Sequence, residues 1–556
     1  MSADQALTSS EATASDITPP DPTAQETASD TTAQPPLAAG RPRLARAALL
    51  AVVFVCAACG LVYELALVAL GSYLLGDTAG QASVVLSVMV FAMGIGALAA
   101  KGLQARAAAS FVVVELLLAL LGGLSVLGLY AAFAWLHLYT VAVVVVAFVL
   151  GALIGAEIPL LMVLLQRIRA QDAGSAVADL FAADYVGALL GGLAFPFLLL
   201  PMFGQLQGAI VVGVVNAAAG IVLVFTLLRR DLSRRVRAAL VGGAVVVGGI
   251  LGLAWITAGQ FETTARQALF RDPVVHAERT RYQELVLTEN PRWSGDRDLR
   301  LFLDGDLQFS SADEHRYHEA LVHPAMAGGP RERVLVLGGG DGLALREVLR
   351  YDDVERATLV ELDPAMIALA RGDLRLSGLN GGAFDDPRVT VVADDAFRWL
   401  REEAEPGAYD VVVVDMPDPD QTATAKLYSI EFYSLAERVL APQGRLVVQS
   451  GSPYFAPRSY WCVATTLQAA GFATTPYHVD VPSFGDWGFH LAVAGRGAGP
   501  ELAVDAPAPL RFLDQAVLSA AAVFPPDRAE RTDVEVTTIL DPVILEYQRA
   551  EWREYS

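Results

Sequence analysis

Hydrophobic residues follow two different patterns along this chain, one in each half. Between about Ala47 and Trp255 they form seven long apolar segments without a regular polar face. Each is about as long as a helix must be to cross a bilayer, whereas helices of a soluble core are shorter and amphipathic. The segments are residues 47–70, 82–100, 108–134, 139–165, 178–202, 208–228 and 237–258. We therefore predict a multi-span α-helical membrane domain of about seven helices over residues 41–260.

Beyond residue 333 the pattern changes to short runs rich in β-branched residues, which alternate with helical patterns. This alternation predicts a largely parallel sheet with helices packed on it. Strands are expected at residues 333–337, 357–361, 389–393, 409–414, 444–449 and 489–494. The expected fold class for residues 329–496 is an α/β Rossmann-like domain of the class I methyltransferase type, fused to the membrane domain and preceded by a small β-strand domain at residues 272–328.

The two ends of the chain lack these patterns. Residues 1–40 contain almost no aromatic or branched apolar side chains, so we expect a disordered tail that cannot bury enough surface to offset its ordering entropy. Residues 497–556 are a C-terminal extension with a Pro-rich linker and a helical pattern that ends near Trp552. We expect this extension to pack on the α/β domain and assign no site to it.

The net charge of −21 in 556 residues limits the choice of partners. Binding to nucleic acid needs clustered Lys and Arg, and these occur only in the loops of the membrane domain. A small polycation is favoured instead. The alternative is that the acidity only keeps the protein soluble.

A glycine turn that ends in an aspartate is the most informative motif. Residues 333–337 lead into Gly338-Gly-Gly340-Asp341-Gly and then into a helical pattern. A strand, a glycine turn and a helix in this order let a nucleotide-like ligand approach bare backbone. Asp341 stands where dinucleotide-binding folds receive a pyrophosphate, which a carboxylate would repel. The ligand is therefore predicted to be a cationic nucleoside.

Acidic residues also follow the other expected strands, namely Glu361, Asp394, Asp395, Asp415 and Asp418. The carboxyl ends of parallel strands meet at one edge of a sheet, so these side chains should lie together. Glu361 comes twenty residues after Asp341, the spacing at which a carboxylate binds ribose hydroxyls. For any single one of them, a solvated carboxylate or a helix cap is the alternative.

Asp415 and Asp418 lie three residues apart in the sequence Asp415-Met-Pro-Asp418-Pro, whose prolines oppose helix formation. Two carboxylates at this spacing can bind two atoms of one cation. A primary aliphatic amine has a pKa of about 10.4, near that of Lys, and must lose a proton before it can attack. One carboxylate can hold the amine while the other takes its proton.

Several motifs follow one another in a fixed order: Tyr282-Gln283, Leu303-Asp-Gly-Asp-Leu-Gln308, Tyr317-His318-Glu319, Gly338-Gly-Gly-Asp341-Gly, Glu361-Leu-Asp363, Asp394-Asp395-Ala396, Asp415-x-x-Asp418-Pro419, Leu427-Tyr428 and Gln449-x-Gly-Ser-Pro453. In this combination, residues from about 272 to 495 resemble the spermidine synthases, the polyamine aminopropyltransferase family. The first half resembles a membrane-fused bacterial branch of that family through Gly60-Leu-Val-Tyr63-Glu64, Gly155-Ala-Glu157-Ile-Pro159 and Asp184-Tyr185.

The resemblance implies a transferase that moves the aminopropyl group of decarboxylated S-adenosylmethionine to a diamine such as putrescine, giving spermidine and methylthioadenosine. Decarboxylated S-adenosylmethionine would be a co-substrate, with no tightly bound cofactor. No metal is implied. Four histidines lie close together in the sequence, but no Cys or carboxylate cluster accompanies them at ligand spacing: His276, His315, His318 and His323.

Roles follow for the residues that match the motifs. On the acceptor side, Asp415 would take the proton, while Asp418 and Tyr317 would seat the diamine. On the donor side, Asp341 would hold the aminopropyl ammonium beside Gly338 and Gly340. Glu361 would bind the ribose, and Asp395, beside Ala396, would bind the adenine amino group. Gln283 and His318 would contact the donor or the product.

Two departures from the family pattern bear on substrate. Asp420-Gln421 stands where relatives usually have a Gly-Pro pair, which leaves the acceptor amine open, and Ala396 replaces a usual glycine. Two other functions remain as alternatives. One is an S-adenosylmethionine-dependent methyltransferase, which Asp341 disfavours because it would repel the carboxylate of that donor. The other is a polyamine sensor or transporter with a non-catalytic synthase-like domain.

Lys and Arg residues bear on the orientation of the apolar segments. They precede the first segment and follow the second, fourth and sixth, but are absent after the first, third and fifth. The charge rule then puts the N terminus inside and, with an odd number of spans, the α/β domain outside. A re-entrant segment 178–202 would reverse this but would move the arginine-rich loop outside. Because the donor is made in the cytosol, we expect a multi-pass protein of the cell membrane with a cytoplasmic catalytic domain.

Five acidic residues lie within the apolar segments: Glu64, Glu115, Glu157, Asp179 and Asp184. Each costs about 2.5–3.5 kcal/mol in lipid, so they should face a polar interior for polyamine passage or sensing, or else pair with neighbours as packing contacts. Cys56 and Cys59 are expected to pack as small apolar side chains within the first apolar segment. The expected partners are a polyamine, the bilayer and further copies of the chain in a homodimer or higher homo-oligomer.

Overall fold

The computed structural model describes residues 42–75, 78–136, 138–168, 173–227, 232–270, 272–291 and 297–553. The predicted tail at residues 1–40 lies outside these ranges. The described chain forms a helical bundle, a four-stranded sheet, a seven-stranded sheet covered by helices, and a C-terminal extension.

The helical bundle contains seven α-helices within the described residues. They are α1 (Pro42–Leu75), α2 (Thr78–Ala99), α3 (Ala107–Ala131), α4 (Tyr139–Ile168), α5 (Ala173–Ala194), α6 (Leu200–Thr226) and α7 (Arg234–Leu269). A 3₁₀ helix (Ala100–Arg106) joins α2 to α3, and a π-helical turn (Phe195–Leu199) joins α5 to α6. A second π-helical turn, Ala132–Leu136, ends α3. Helix α7 continues to Leu269, beyond the boundary predicted at residue 260.

Five continuous helical stretches of the described chain are long and apolar enough to cross a membrane, judged by length and composition alone. They are Ala45–Leu74, Gly80–Leu136, Tyr139–Gln166, Val177–Thr226 and Arg234–Leu269, with a mean hydropathy of 2.2 to 2.6. The seven helices give five stretches because α2 and α3 form one continuous stretch, and so do α5 and α6. Large apolar side chains are exposed on the outside of the bundle, among them Leu189, Phe197, Val245 and Ile256.

Small residues let the helices of the bundle approach closely. Gly187 and Gly191 of α5 lie so near the backbone of Phe54 and Ala58 in α1 that a side chain at either glycine would overlap a carbonyl oxygen. Close approach at small residues is typical of helices that associate without a hydrophobic driving force.

An antiparallel four-stranded sheet follows the bundle in the order β1 (Val274–Arg279), β2 (Glu284–Pro291), β3 (Arg297–Leu303) and β4 (Asp306–Ser310). Glu284 of β2 connects this sheet to two ends of the bundle. It accepts a hydrogen bond from the Tyr73 hydroxyl near the end of α1, and it pairs with Arg266 near the end of α7 at 3.0 Å. The carboxyl-terminal ends of α1 and α7 therefore lie at the same face, against the small sheet.

The seven-stranded sheet has the order β10-β11-β9-β8-β5-β6-β7. Its strands are β5 (Arg333–Gly338), β6 (Arg356–Glu361), β7 (Val389–Ala393), β8 (Tyr409–Asp415), β9 (Leu440–Gln449), β10 (Phe472–Val481) and β11 (Gly485–Ala494). Strands β5 to β9 are parallel, while β10 and β11 are antiparallel. All six expected strands are present; β10 was missed. This Rossmann-like sheet turns back between β5 and β8, which opens a crevice at the carboxyl ends of these two strands.

Helices cover both faces of this sheet: α8 (Glu314–Met326), α9 (Leu343–Val348), α10 (Pro364–Gly372), α11 (Leu374–Leu379), α12 (Ala396–Glu402), α13 (Thr422–Ala425), α14 (Ile430–Val439) and α15 (Pro457–Ala469). The C-terminal extension adds α16 (Gln515–Ala521) and α17 (Val543–Trp552). Helix α17 buries Ile544 and Leu545 in the same core cluster as Phe432 of α14 and Val463 of α15. This packing brings α17 to the edge where the parallel strands end.

Candidate active site

The site begins where β5 meets β8. Gly338 ends β5 and pairs in register with Asp415, the last residue of β8. Gly338 has a φ of +80°, and a side chain there would overlap the carbonyl oxygen of Asp415, so only glycine fits. The Gly339 N–H donates to the same oxygen at 3.1 Å. A Cβ on Gly339 would lie 2.9 Å from Asp415 Oδ2, which puts this carboxylate directly against the glycine turn.

Glu361 lies against the same turn from the next strand. A Cβ on Gly340 would stand 2.6 Å from Glu361 Oε2. The other oxygen, Oε1, accepts a hydrogen bond from the Asp363 N–H at 2.9 Å. Burial raises the pKa of Glu361 to about 7. The turn is thus bare backbone between the carboxylates of Glu361 and Asp415.

Asp341 closes the turn. Its Oδ1 accepts a hydrogen bond from the Leu343 N–H at 2.8 Å, next to the start of α9. Burial raises the pKa of Asp341 to about 6; the charge of His318 opposes this shift and that of Asp415 adds to it. An acid held charged here at neutral pH favours a cation as its neighbour.

Helix α8 contributes two further predicted residues. The Tyr317 hydroxyl donates to Asp415 Oδ1 at 2.7 Å. His318 Nδ1 lies 3.0 Å from Glu314 Oε2. Burial alone would lower the pKa of His318, but the hydrogen bond with Glu314 and the nearby carboxylates raise it to about 8. Burial also raises the pKa of Asp415, against the opposing effects of His318 and Tyr317.

Asp418 is held by two amides from distant parts of the chain. Gln449 Nε2, at the end of β9, donates to Oδ1 at 3.1 Å, and Gln548 Nε2, on α17, donates to Oδ2 at 3.0 Å. Burial raises the pKa of Asp418 to about 6. Gln548 is 3% exposed, and its Oε1 has no hydrogen-bond partner within the described part of the chain. The same Gln449 amide group reaches the Tyr428 hydroxyl at 2.7 Å.

A second group of acids lies beyond Asp418. It consists of Asp304 and Asp306, at the turn between β3 and β4, and Asp420. Desolvation by neighbouring groups, together with the charges of Asp420, Asp418 and Asp304, raises the pKa of Asp306 to about 7, although this residue is exposed to solvent. The acidic character of the crevice therefore continues toward the small sheet.

Asp395 is already engaged in this structure. Its Oδ1 accepts from the Arg398 N–H at 3.0 Å and caps α12, which begins at the buried Ala396. Its Oδ2 lies 2.6 Å from Lys426 Nζ. Against the effect of burial, Lys426 lowers the pKa of Asp395. An adenine amino group would have to share or replace this lysine.

Most of these side chains belong to the motifs that the sequence predicts to form the site, and the structure brings Asp341, Asp415, Asp418, Tyr317 and His318 together. Gln283 lies on the Glu361 side of the site: its Nε2 is 3.4 Å from Asp363 Oδ2, and the Asp363 N–H donates to Glu361. Tyr428 and Gln449 lay within the quoted motifs but received no role. The sequence gives no signal for Gln548, because only the packing of α17 brings this residue to Asp418.

This chain is similar to one known protein family and to several individual proteins. Residues 314–502 match the family model described as the spermine/spermidine synthase domain. Polyamine aminopropyltransferase 1 of Streptomyces coelicolor is 60% identical over 514 residues, covering 92% of this chain and 96% of the relative. Polyamine aminopropyltransferase of Mycobacterium tuberculosis is 50% identical over 516 residues, covering 91% and 97%. A crystal structure of a spermidine synthase with the transition-state analogue AdoDATO matches at 27% identity and a TM-score of 0.41, covering 46% of this chain and 86% of that one.

Proposed function

Because the chain belongs to the polyamine aminopropyltransferases, with a helical N-terminal extension fused to the synthase domain, we propose that it transfers an aminopropyl group from decarboxylated S-adenosylmethionine to putrescine. The resemblance drawn from the motifs is confirmed at the level of the family, and the chain is an aminopropyltransferase enzyme. The diamine, the residue roles and the membrane are the proposed parts.

In the proposed reaction the neutral amine of putrescine attacks the methylene carbon beside the sulfonium. A C–N bond forms and the C–S bond breaks, so that the sulfonium leaves as the neutral thioether methylthioadenosine. The proton lost by the amine passes to Asp415. Because donor and acceptor both arrive as cations, the carboxylates of Asp341, Asp415 and Asp418 offset their repulsion and hold them in line.

One observation carries this proposal: Asp415 packs against the glycine turn that Asp341 closes. A proton acceptor for the acceptor amine and an anion for the donor then face each other across the turn at the switch point of the sheet. Tyr317 orients Asp415 through its hydrogen bond of 2.7 Å. In this proposal Glu361 binds the ribose, and the second acidic group, Asp304, Asp306 and Asp420, supplies partners for the distal ammonium of the diamine.

The test is an assay of the full chain in detergent with decarboxylated S-adenosylmethionine and putrescine, following methylthioadenosine and spermidine by mass spectrometry. Replacing Asp415→Asn removes the base and should lower kcat by about 10²–10⁴, while Asp353→Asn, an exposed acid that pairs with Arg331, should not. Methyl transfer from S-adenosylmethionine without release of a thioether nucleoside would instead indicate a methyltransferase. Intact biological activity in Asp415→Asn would favour the sensor or transporter.

We further propose that the helical bundle resides in the cell membrane. Five long apolar stretches, close packing at glycines and large apolar side chains on the outer face support this proposal. Recovery of the full chain in the membrane fraction, resistant to extraction by high salt or alkali, is expected. Recovery in the soluble fraction would contradict it.

The supply of donor from the cytosol favours a cytoplasmic catalytic domain. The charge rule favours the outer face. It puts the basic N-terminal end of α1 inside the cell, whereas Glu284 of the small sheet contacts the opposite end of α1 and the end of α7. Protease treatment of right-side-out vesicles distinguishes a cytoplasmic catalytic domain from one on the outer face. Protection of the catalytic domain is expected, and its cleavage would put it outside.

A further inference from the structure

Three helices of the bundle bring three ligating side chains together, far from the site described above. Cys56 comes from α1, Glu115 from α3 and Glu157 from α4. Their ligating atoms, one Sγ and one carboxylate oxygen from each glutamate, all lie within 4.8 Å of one another. The side chains are buried, with exposures of 2%, 0% and 6%. The sequence pattern did not suggest this cluster, since the three residues are separated by 59 and 42 positions.

Several buried polar atoms at this cluster have no hydrogen-bond partner among the described residues. Neither carboxylate oxygen of Glu115 has a hydrogen-bond partner among the residues that the structure describes. Asn216 of α6 uses its Nδ2 to reach the Glu115 carbonyl oxygen at 3.3 Å, which leaves its buried Oδ1 beside the same residue without a partner. The hydroxyl of Tyr63, close enough to interact electrostatically with both glutamates, is also buried and unpartnered. Several buried polar atoms thus converge on one place without a well-formed hydrogen bond to any of them.

The charge of the cluster is also unbalanced. Within the described chain no ion pair reaches Glu115 or Glu157, whereas Asp179 in the same bundle pairs with Arg46 at 2.5 Å. Burial of an unpaired carboxylate is strongly unfavourable, and two close together also repel each other. One divalent cation would balance the two carboxylates and give their free oxygens a partner. The Cys56 thiol would release its proton to solvent on binding, so the occupied site would keep one net negative charge.

We propose that Cys56, Glu115 and Glu157 bind one divalent transition-metal ion, for which zinc is the best match. One sulfur and two carboxylate oxygens are ligands that zinc accepts in a tetrahedral site, at about 2.3 Å from sulfur and 2.0–2.2 Å from oxygen. The proposed fourth ligand is Asn216 Oδ1, because the amide of Asn216 lies beside Glu115 and this oxygen has no partner in the described chain. Magnesium or calcium would gain nothing from the thiol, and an alkylammonium would gain little.

The metal would join α1, α3 and α4 at the centre of the bundle. Ligand atoms in such a site stand about 3.5 Å apart, so small rotations of the glutamate side chains suffice to close the cluster around the ion. Because the cluster lies in the helical bundle, away from the aminopropyl-transfer site, its expected role is to stabilise the arrangement of these helices.

The test loads the purified full chain in detergent with Zn²⁺, removes excess ion and measures bound metal by mass spectrometry. About one zinc per chain is expected. Affinity should fall at least tenfold in Glu115→Gln, Glu157→Gln and Cys56→Ser. The matched control is Cys59→Ser, one helical turn away, whose thiol contacts the Val212 carbonyl oxygen and should leave binding unchanged.

Loading with Co²⁺ adds a direct readout of the sulfur ligand. A thiolate-to-cobalt charge-transfer absorption is expected in the wild-type chain and in Cys59→Ser, and its absence from Cys56→Ser would identify the ligand. Cys56→Ser changes one atom and no charge, so it remains informative if the glutamate variants fail to fold. Less than about 0.1 zinc per loaded wild-type chain, an unchanged affinity in Glu115→Gln/Glu157→Gln, or a cobalt spectrum without the thiolate band would each overturn the proposal.

Discussion

Gln548 Nε2 donates a hydrogen bond of 3.0 Å to Asp418 Oδ2, across 130 positions of the chain. The family model ends at residue 502, so this contact comes from the C-terminal extension and lies outside the matched domain. With Gln449 on the other oxygen, both sides of the Asp418 carboxylate are held by amides. The extension therefore forms part of the wall of the proposed acceptor site.

Replacing Gln548→Ala should weaken binding of the acceptor amine. A hydrogen bond to a charged group contributes about 1.5–3 kcal/mol, so we expect the KM for putrescine to rise at least about tenfold. The KM for the donor should stay the same, because Asp341 and Glu361 are untouched. Steady-state kinetics with each substrate varied in turn give this comparison, with Glu546→Gln, exposed on the same helix, as the control. Equal effects on both substrates would mean that the change only disturbs folding.

The hydrogen bond from Tyr317 to Asp415 should influence the pH dependence of catalysis. It stabilises the charged form of Asp415 and so opposes the rise in pKa that burial causes. Without it the pKa of Asp415 should be higher, and the base would stay protonated to a higher pH. Tyr317→Phe should therefore shift the ascending limb of kcat against pH upward and lower kcat about tenfold, the effect of about 1.4 kcal/mol.

The control for this experiment is Tyr433→Phe, since the Tyr433 hydroxyl is buried without a partner in the described chain. Its pH profile should match that of the wild type. If Tyr317→Phe gives an unshifted limb, Asp415 is not the group whose titration limits the reaction.

The parts of the fold and site that could be predicted are those encoded by short segments. The glycine turn and Asp341 belong to one segment, and Asp415 follows a single apolar run, so parallel strand pairing alone brings them together. Strand β10 was missed because Thr474, Thr475 and Pro476 interrupt its apolar pattern. The contact of Gln548 with Asp418 and the cluster around Glu115 depend on helix packing between distant segments, which periodicity does not encode.

The acids of the site should make the substrate-free protein less stable at high pH. Asp341 and Asp418 have folded pKa values of about 6 and Glu361 of about 7, all above their values near 4 in an unfolded chain. Such groups bind protons more tightly when folded, so the destabilisation is present above about pH 7 and is relieved as the pH falls toward 4. His318 acts in the same direction, because its pKa of about 8 lies above 6.5 and its contribution is lost as the pH rises through 8.

We therefore expect the Tm to increase as the pH is lowered from 8 to about 5.5. Glu314 sets the lower limit: although burial opposes it, contacts with His318 and Arg346 lower its pKa to about 2, so its contribution is lost only as the pH falls below about 4.5. Asp418→Asn should raise the Tm at pH 8 and flatten its pH dependence, even as activity falls. Thermal scans without substrate measure both effects, and a wild-type Tm that is highest at pH 8 would contradict them.

Lys426 competes for the carboxylate proposed to bind adenine. Its Nζ lies 2.6 Å from Asp395 Oδ2, and both side chains are about one-third exposed, at 37% and 32%. An ion pair in such a setting contributes about 0–1 kcal/mol, so a bound adenine could replace it at small cost.

Lys426→Met removes the competitor and keeps a side chain of similar length. We expect the KM for decarboxylated S-adenosylmethionine to fall about two- to fivefold, the range that this energy permits, with the KM for putrescine unchanged. Asp395→Asn, which loses the acceptor charge, should raise the KM for the donor. A higher donor KM in Lys426→Met would show instead that the lysine itself orients Asp395 or contacts the nucleoside.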